Sequence, residues 1–241
     1  MDRTGQVLEG KYKIVRLLGE GGMGAVYEAR HVVIDRRCAV KFLRPDLARD
    51  ESVVARFVQE AKAASAIGHP GIIDIYDVGS SPDGSAFLVM EFLDGASVAG
   101  VLQQTRKLPV ARAVELVVQA LDALGATHRR GIVHRDLKPD NLFVVQPAGA
   151  RPRVKLLDFG ISRVRLGGGS HDASTRLGAI LGTPAYMAPE QAAGAADDDH
   201  RIDLYAMGVI LFQCITGRLP FVGNNDNQLL ASILTKPFPR P

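Results

Sequence analysis

The sequence contains no tryptophan and only two cysteines, Cys38 and Cys214, among its 241 residues. Each cysteine lies within an apolar run, so we expect reduced thiols in the core rather than a disulfide. The six histidines are scattered and show no HxxxH spacing, and no CxxC pair exists, which argues against a zinc site. The sequence therefore argues against two classes: secreted proteins stabilised by disulfides, and zinc-binding modules.

Long apolar segments and a strong excess of one charge are also missing. The longest apolar run, residues 206–212, is far too short to cross a bilayer, and the residues after Met1 do not begin a signal peptide. The net charge is only +3 and the basic residues are scattered, so no nucleic-acid partner is expected. We expect a cytoplasmic globular protein of one domain or two lobes, with no membrane segment in this chain.

The first motif is glycine-rich: Gly19-Glu20-Gly21-Gly22-Met23-Gly24, after a predicted strand over residues 12–18. The same GxGxxG pattern opens dinucleotide-binding folds, in which a helix must follow the glycines. Here strand-forming residues follow, at 25–30, and a second strand-like run ends at residues 38–42. The pattern therefore indicates a hairpin turn whose backbone can close over phosphates, and a merely flexible hairpin is the alternative.

Two charged residues lie in unexpected places near this motif. Lys41 interrupts an otherwise apolar strand, and Glu60 lies toward the packed face of a predicted helix over Glu51–Ile67. Such a lysine usually extends to solvent, and such a glutamate is usually solvated. Behind a glycine turn, however, Lys41 could meet α- and β-phosphates with Glu60 as its counter-ion. Val26 and Ala39 would then offer small apolar surfaces to an adenine ring.

Two further predicted strands, residues 72–76 and 87–90, complete a group of five strands and one helix. A lobe boundary is predicted at residues 91–95, because the pattern beyond it is mainly helical. The main-chain groups of Glu91 and Leu93 could hydrogen-bond a purine at this boundary. A plain linker is the alternative interpretation.

The second motif is His134-Arg135-Asp136-Leu137-Lys138-Pro139-Asp140-Asn141, between an amphipathic helical stretch (109–128) and a strand pair (142–145 and 154–157). The motif contains an acid, a lysine and a carboxamide. They suit a reaction in which a hydroxyl group must be accepted, an anion screened by a cation, and a metal bound. The strand pair leads to Asp158-Phe159-Gly160, where an acid at a strand end can hold a metal.

Residues 161–182 show no regular periodicity and contain three consecutive glycines and several hydroxyl side chains. Arg135 and Arg163 are candidate partners for a phosphate added to this segment. Beyond it, residues 201–212 are apolar nearly all round, which predicts a buried central helix, and Asp203 is a candidate to anchor the backbone of the second motif. The acidic run 197–199 with His200 suggests a metal site less well than it suggests a solvated helix start.

Taken in order, these motifs resemble a eukaryotic-type serine/threonine protein kinase, and GIVHRDLKPDN with GTPAYMAPEQ looks most like the bacterial members. The resemblance spans roughly residues 11–235. It implies an α+β, two-lobed fold. The N-lobe (about 10–92) would be a small five-stranded antiparallel sheet with one helix, joined by a hinge (91–95) to a mainly helical C-lobe (96–241).

The resemblance further implies transfer of the γ-phosphate of ATP to protein hydroxyls, with Mg²⁺ or Mn²⁺ as the metal. By matching position, Asp136 would face the acceptor hydroxyl, Lys138 the γ-phosphate, and Asn141 with Asp158 the metal, while Lys41 pairs with Glu60. The nucleotide would be contacted by Leu18, Gly19, Glu20, Gly21, Gly22, Met23, Gly24, Val26, Ala39, Lys41, Met90, Glu91, Leu93 and Asp158.

Regulation and substrate class are implied in the same way. Arg135 before the catalytic acid resembles kinases activated by loop phosphorylation, and Thr175 best matches the phosphorylated position, with Ser174 nearby. Lys138 and Thr183 resemble the serine/threonine branch, and Thr183 would contact the substrate. The partners would be proteins with serine or threonine acceptors, and copies of the chain could associate for autophosphorylation.

One departure and two alternatives accompany this interpretation. Family members usually continue beyond the position of Pro241 through helices, one of which carries an arginine that pairs with the glutamate matched by Glu190. We therefore expect the helical lobe to be incomplete. A nucleotide-binding scaffold without catalysis is one alternative. A dinucleotide-dependent oxidoreductase, which requires a helix after Gly24, is the other.

Overall fold

The computed structural model describes residues 2–22, 24–146, 149, 151–158, 184–194 and 199–241. The chain divides into two compact units. The N-terminal unit comprises Met1–Gly68 and Ile72–Asp94, and the C-terminal unit comprises His69–Gly71 and Gly95–Pro241. Within the described ranges, no helix has the length and apolarity needed to cross a membrane.

The N-terminal unit contains one antiparallel sheet with strand order β1-β2-β3-β4-β6-β5. On one side, the sheet contributes buried residues such as Ile14, Tyr27, Val40 and Phe87 to a core. On the other side, Leu43 and Leu88 form a second core with the helix α1. The strands are β1 Val7–Leu8, β2 Tyr12–Gly21, β3 Gly24–His31, β4 Arg37–Leu43, β5 Ile75–Ser80 and β6 Ala86–Glu91.

The sheet therefore has six strands, and the expected number of five is wrong. The additional strand β1 has only two residues, which is too short to produce an alternating pattern, and it pairs with β2 through a tight turn at Glu9 and Gly10. The strand expected at 72–76 instead runs from Ile75 to Ser80. Ile72 and Ile73 are buried outside it, so their apolar character reflects packing rather than strand formation.

Helix α1, Glu51–Ile67, has the bounds that the sequence predicts. The Asp50 side chain accepts a hydrogen bond from Ser52 N, which caps the first turn, and Gly68 ends the helix with φ 65°. Its buried stripe consists of Phe57, Glu60, Ala61, Ala64 and Ile67. These positions recur at helical spacing and therefore lie on one face of the helix. Glu60 is thus on the face that packs on the sheet.

The C-terminal unit begins with a three-stranded antiparallel sheet, order β7-β8-β9, and is otherwise helical in its described part. Short 3₁₀ turns lie at Pro139–Asn141 and Pro184–Tyr186. Its strands are β7 Gly95–Ser97, β8 Leu142–Val145 and β9 Arg153–Leu156; its helices are α2 Val98–Thr105, α3 Val110–His128, α4 Pro189–Ala192, α5 Arg201–Thr216 and α6 Asp226–Thr235.

Helix α5 is largely buried in the C-terminal unit, as its apolar pattern predicts, but one of its sides is exposed. Ile202, Met207, Val209 and Ile210 are each at most 2% exposed. A helix that is apolar on every side would need to be surrounded to bury all of its surface. Here Leu204 is 45% exposed, on the same side as the exposed Arg201 and Gly208. Its buried first turn also carries an acid, whose role is described below.

Residues His69–Gly71 pack with the C-terminal unit, although the predicted boundary at 91–95 puts them with the N-terminal strands. The carbonyl of Gly71 accepts a hydrogen bond from Leu156 N at 2.8 Å. A Cβ at Gly71 would lie 2.9 Å from the Cβ of Ala123 on α3, so this close approach requires glycine. The short segment is therefore a structural part of the C-terminal unit.

Candidate functional site

The predicted catalytic loop, residues 134–141, is held by a buried carboxylate on α5. Asp203 is 1% exposed and accepts hydrogen bonds from the main-chain N–H groups of His134 (Oδ2, 2.8 Å) and Arg135 (Oδ1, 2.9 Å). His128, at the end of α3, places Nε2 2.8 Å from the same Oδ2. Charge-assisted hydrogen bonds of this kind satisfy a buried acid. The prediction that Asp203 anchors this backbone is confirmed.

The acid, lysine and carboxamide of the loop lie close together, with Asn141 buried and Asp136 and Lys138 half-buried. The Asn141 side-chain nitrogen donates to the main-chain oxygen of Asp136 at 2.8 Å and lies 3.5 Å from its carboxylate Oδ2. The ammonium of Lys138 is 3.7 Å from the same Oδ2. The loop thus combines an acceptor for a proton, a fixed cation and an amide within one short stretch of chain.

A fully buried imidazole connects this loop to the strand that leads to Asp158. His134 is 0% exposed, and its Nε2 lies 2.9 Å from the carbonyl oxygen of Leu157. A carbonyl only accepts, so this nitrogen carries the proton. The main chain is joined as well, because Leu157 N donates to the Asn141 carbonyl at 2.9 Å. Asp158 directly follows, which brings the two predicted metal-binding segments side by side.

Two residues of this region have left-handed backbone conformations that residues other than glycine seldom adopt. They are Arg135, with φ 66°, and Asp158, with φ 42°. Each such conformation costs on the order of 1–3 kcal/mol and persists only where the surroundings impose it. At Arg135 the imposing contact is the hydrogen bond from its N–H to Asp203.

The oxygen donors present suit magnesium. Mg²⁺ prefers hard oxygen ligands and is commonly held by one or two carboxylates together with phosphates. Because the Asn141 amide nitrogen donates to the loop, its amide oxygen is the atom that could ligate a metal, and Asp158 would add a carboxylate. No group of three or more His, Cys, Asp or Glu side chains arranged for a metal occurs in the part of the chain that the structure describes.

In the N-terminal unit, the residues predicted to meet adenine and phosphates share one sheet face. Val26 is the cross-strand neighbour of Lys41, and Ala39 that of Met90. Alternation along β4 puts Ala39 and Lys41 on the same side. This is the side on which α1 packs, because Leu43 and Leu88 share a core with Phe57. Lys41 is 7% exposed and Glu60 9%, so both charges are buried, and their pairing stays a prediction.

The glycines of the first motif differ in what surrounds them. A Cβ added at Gly19, Gly21 or Gly22 would meet no heavy atom within 4 Å in the described structure. A Cβ at Gly24 would lie 1.7 Å from the carbonyl oxygen of Phe42 on β4. Gly24 is therefore required by the sheet itself, whereas no described residue imposes glycine at the other three positions. The strand that follows contradicts the dinucleotide-fold alternative, which needs a helix after Gly24.

The predicted purine-binding segment is partly occupied by hydrogen bonds of the protein. Glu91 N donates to the Asp74 carbonyl at 2.9 Å, and the Glu91 carboxylate accepts from Asp74 N at 2.9 Å. The N–H of Glu91 is thus already bonded within the protein. Leu93 follows β6 outside regular secondary structure and is half-buried.

Several predicted site residues lie outside the described residues: Met23, Arg163, Ser174, Thr175 and Thr183. Arg135 is described, and the Nε of its half-buried side chain has no hydrogen-bond partner among the described residues. Tyr186 and Gln191 line a small cavity beside it. Burial raises the pKa of Tyr186 to about 12, and its hydroxyl donates to Gln213 Oε1 at 2.7 Å.

The sequence reasoning missed the contribution of His128 to the site. A histidine at the end of an amphipathic helix signals only a favourable helix terminus. Its bond to Asp203, 75 positions away in the chain, depends on how α3 packs on α5. No local pattern could have revealed it.

Comparison with known proteins gives consistent matches. The protein kinase domain, as a family pattern, matches residues 12–239. The chain is 43% identical over 238 residues to serine/threonine-protein kinase pkn3 of Myxococcus xanthus and 47% identical over 235 residues to Pkn1 of the same organism. These alignments cover 99% and 96% of this chain but 43% and 32% of those proteins, so the chain spans less than half of their length.

Mycobacterial proteins are similar as well. The serine/threonine-protein kinase PknB of Mycobacterium leprae is 39% identical over 221 residues, which cover 90% of this chain and 34% of that protein. Among solved structures, a double mutant of the PknI kinase domain of Mycobacterium tuberculosis superposes with a TM-score of 0.70 at 29% identity. That superposition covers 92% of this chain and 81% of the other.

Proposed function

This chain belongs to the protein kinase family, and from that premise we propose that it transfers the γ-phosphoryl group of ATP to serine and threonine hydroxyls of proteins. The observation that carries the proposal is the loop in which Asp136, Lys138 and Asn141 converge. This loop keeps its shape through the buried Asp203 and His134. The groups are therefore preorganised for charge development rather than brought together by the substrate.

Asp136 would orient the acceptor hydroxyl and take its proton late in the reaction. An ordinary carboxylate is too weak a base to remove a proton from a serine hydroxyl in its ground state. It does not need to, because the transition state of phosphoryl transfer is loose and the acceptor loses its proton late. The neighbouring Lys138 ammonium would balance negative charge on the transferred group. Positioning and charge neutralisation then account for the rate.

Asn141 and Asp158 would hold Mg²⁺, or Mn²⁺, against the phosphates. The bound cation supplies charge neutralisation at the phosphate oxygens. The protein contributes the rigid placement of its two ligand-bearing segments, through the bond between Leu157 N and the Asn141 carbonyl.

The N-terminal unit would provide the nucleotide-binding groups. The main-chain amides of the glycine turn and the ammonium of Lys41 are suited to phosphates, with Glu60 as the counter-ion of Lys41. Val26, Ala39 and Met90, on the same sheet face, are suited to the adenine ring. The remaining groups of the proposed nucleotide contact are Leu18, Glu20, the Glu91 carbonyl and Leu93.

Activation by phosphorylation of the segment before Thr183 is proposed on the chemistry of Arg135. Its main chain is fixed by Asp203, and its buried Nε lacks a hydrogen-bond partner among the described residues. A phosphate on Thr175 or Ser174, with Arg163 as a second cation, would satisfy this group. Copies of the chain would associate transiently to phosphorylate each other in the cytoplasm, where ATP is available.

The proposal is tested by Mg²⁺-dependent transfer of labelled γ-phosphate to the protein itself and to a generic basic protein. Asp136→Asn should lower the initial rate by about 10²- to 10⁴-fold, as expected for loss of a group that accepts a proton. Asp140→Asn is the matched control, because this exposed acid lies in the same loop and should leave the rate at the wild-type order of magnitude. Equal labelling by the Asp136 variant, or ATP binding without any transfer by the wild type, contradicts the proposal.

A further inference from the structure

Arg37, the first residue of β4, connects the sheet of the N-terminal unit to the segment that follows β6. Its Nε donates to Glu28 Oε1 at 3.0 Å. One terminal nitrogen lies 3.2 Å from Asp94 Oδ2, and the guanidinium carbon lies 3.8 Å from the centre of the Phe92 ring. One side chain thus contacts both residues that flank Leu93.

Glu28 holds Arg37 in this position. Its side chain is only 8% exposed and accepts from two arginines, Arg16 (Nε, 2.8 Å) and Arg37. A buried carboxylate needs such partners, because an unpaired buried charge is strongly unfavourable. Glu28 is also the cross-strand neighbour of Ala39 and therefore lies on the face that carries the proposed adenine contacts. The acid and its arginine are thus next to the proposed nucleotide site without being required by its chemistry.

We infer that Arg37 is a positioning residue that preforms the adenine-binding main chain at residues 91–93. This inference rests on the proposed function. Without Arg37, Phe92 and Asp94 lose its contacts, and the segment between β6 and β7 has more freedom to lose on binding. The entropy of ordering a few residues reduces ligand affinity directly, so preforming them raises it.

The same contacts contribute little to global stability. The pair Arg37–Asp94 is 37% and 73% exposed, and exposed ion pairs are worth little because solvent screens them. The guanidinium stacked on Phe92 is the more important contact for local order, because cation–π attraction depends on geometry. Loss of Arg37 should therefore change nucleotide affinity more than the unfolding midpoint.

The experiment measures binding of two probes, adenosine and Mg-ATP, by calorimetry, together with kcat at saturating ATP. Arg37→Ala should raise Kd for both probes by the same factor, about three- to tenfold, with kcat unchanged, because only the adenine end is affected. Lys41→Met should instead weaken Mg-ATP far more than adenosine. Arg16→Ala is the matched control, since it removes the other partner of Glu28 but no contact to residues 92–94.

Phe92→Leu provides a second variant that leaves the bridge between Glu28 and Arg37 intact. It should weaken adenosine in the same direction, which keeps the inference testable if Arg37→Ala lowers the unfolding midpoint. Unchanged adenosine affinity in Phe92→Leu and in folded Arg37→Ala, or an equal loss in Arg16→Ala, overturns the inference. A wild-type protein that binds neither probe overturns the proposed function instead, so the two failures are distinguishable.

Discussion

The catalytic loop and the glycine turn contribute to the same proposed reaction but are built in opposite ways. The loop, residues 134–141, is fixed by side chains that bond its backbone, chiefly the buried Asp203 and the amide of Asn141. In the turn, a Cβ at three of the four glycines would meet no described atom within 4 Å. The loop is therefore held by buried side chains, whereas the turn is held by the pairing of β2 with β3 and has room for a ligand beside these three glycines.

Among the substitutions that test this comparison, the largest effect is expected from removing the charge that holds the loop. Asp203→Asn replaces an acceptor oxygen by an amide nitrogen opposite a buried N–H, which should lower the free energy of unfolding by about 1–3 kcal/mol. The catalytic rate should fall by about two orders of magnitude, because small misplacement of reacting groups is costly. Urea unfolding and kcat at saturating Mg-ATP measure the two effects.

Asp226→Asn is the control for this substitution. Asp226 also lies in the first turn of a helix, but it is exposed and anchors no loop. It should leave both quantities near their wild-type values. A fully active Asp203→Asn variant would show that the loop does not need its anchor, and the contrast with the glycine turn would then be wrong.

A pair of glycine substitutions tests the other half of the comparison. Gly24→Ala forces a methyl group against the Phe42 carbonyl and should lower the free energy of unfolding by about 1–3 kcal/mol. Gly21→Ala meets no neighbour and should change it by less than about 0.5 kcal/mol. Instead, it should raise Kd for Mg-ATP while leaving that for adenosine unchanged. Equal destabilisation by both variants would contradict the distinction between Gly24, which packing requires, and Gly21, which we propose the nucleotide requires.

The smallest effect extends the comparison to the two units, each of which contains one cysteine. Burial raises the pKa of Cys38, in the N-terminal unit, to about 11, and that of Cys214, in the C-terminal unit, to about 11. A raised thiol pKa leaves little thiolate, the reactive form, until the pH approaches that value. At pH 8 the folded protein should therefore resist iodoacetamide at both positions, as measured by mass spectrometry, while a urea-unfolded sample reacts.

Reaction at only one cysteine would show which unit opens locally. Rapid alkylation of Cys38 alone would mean that β4 and its neighbours in the N-terminal sheet open locally. Rapid alkylation of Cys214 alone would contradict the view that the catalytic loop rests on a rigid helix, since Cys214 is on α5, the helix that carries Asp203.

Much of the fold could be predicted because it depends on local pattern. Helix α1 has its apolar stripe, its Asp50 cap and its terminal Gly68 within one stretch of chain, and α5 has its all-round apolar composition. The short strand β1 could not be predicted, since two residues have no periodicity. The placement of Gly71 in the C-terminal unit could not be predicted either, because it depends on the close approach of α3 and β9.

The sequence by itself determined the chemistry that the loop can offer, because Asp136, Lys138 and Asn141 are too near in the chain to be far apart in space. Only the tertiary structure decided how that chemistry is held. The bonds of His128 to Asp203 and of Arg37 to Asp94 join residues that are distant in the chain. The steric need for Gly24 arises from a neighbouring strand, whereas no described atom would meet a Cβ at Gly21. Such contacts have no local signature, since each depends on a partner that folding supplies.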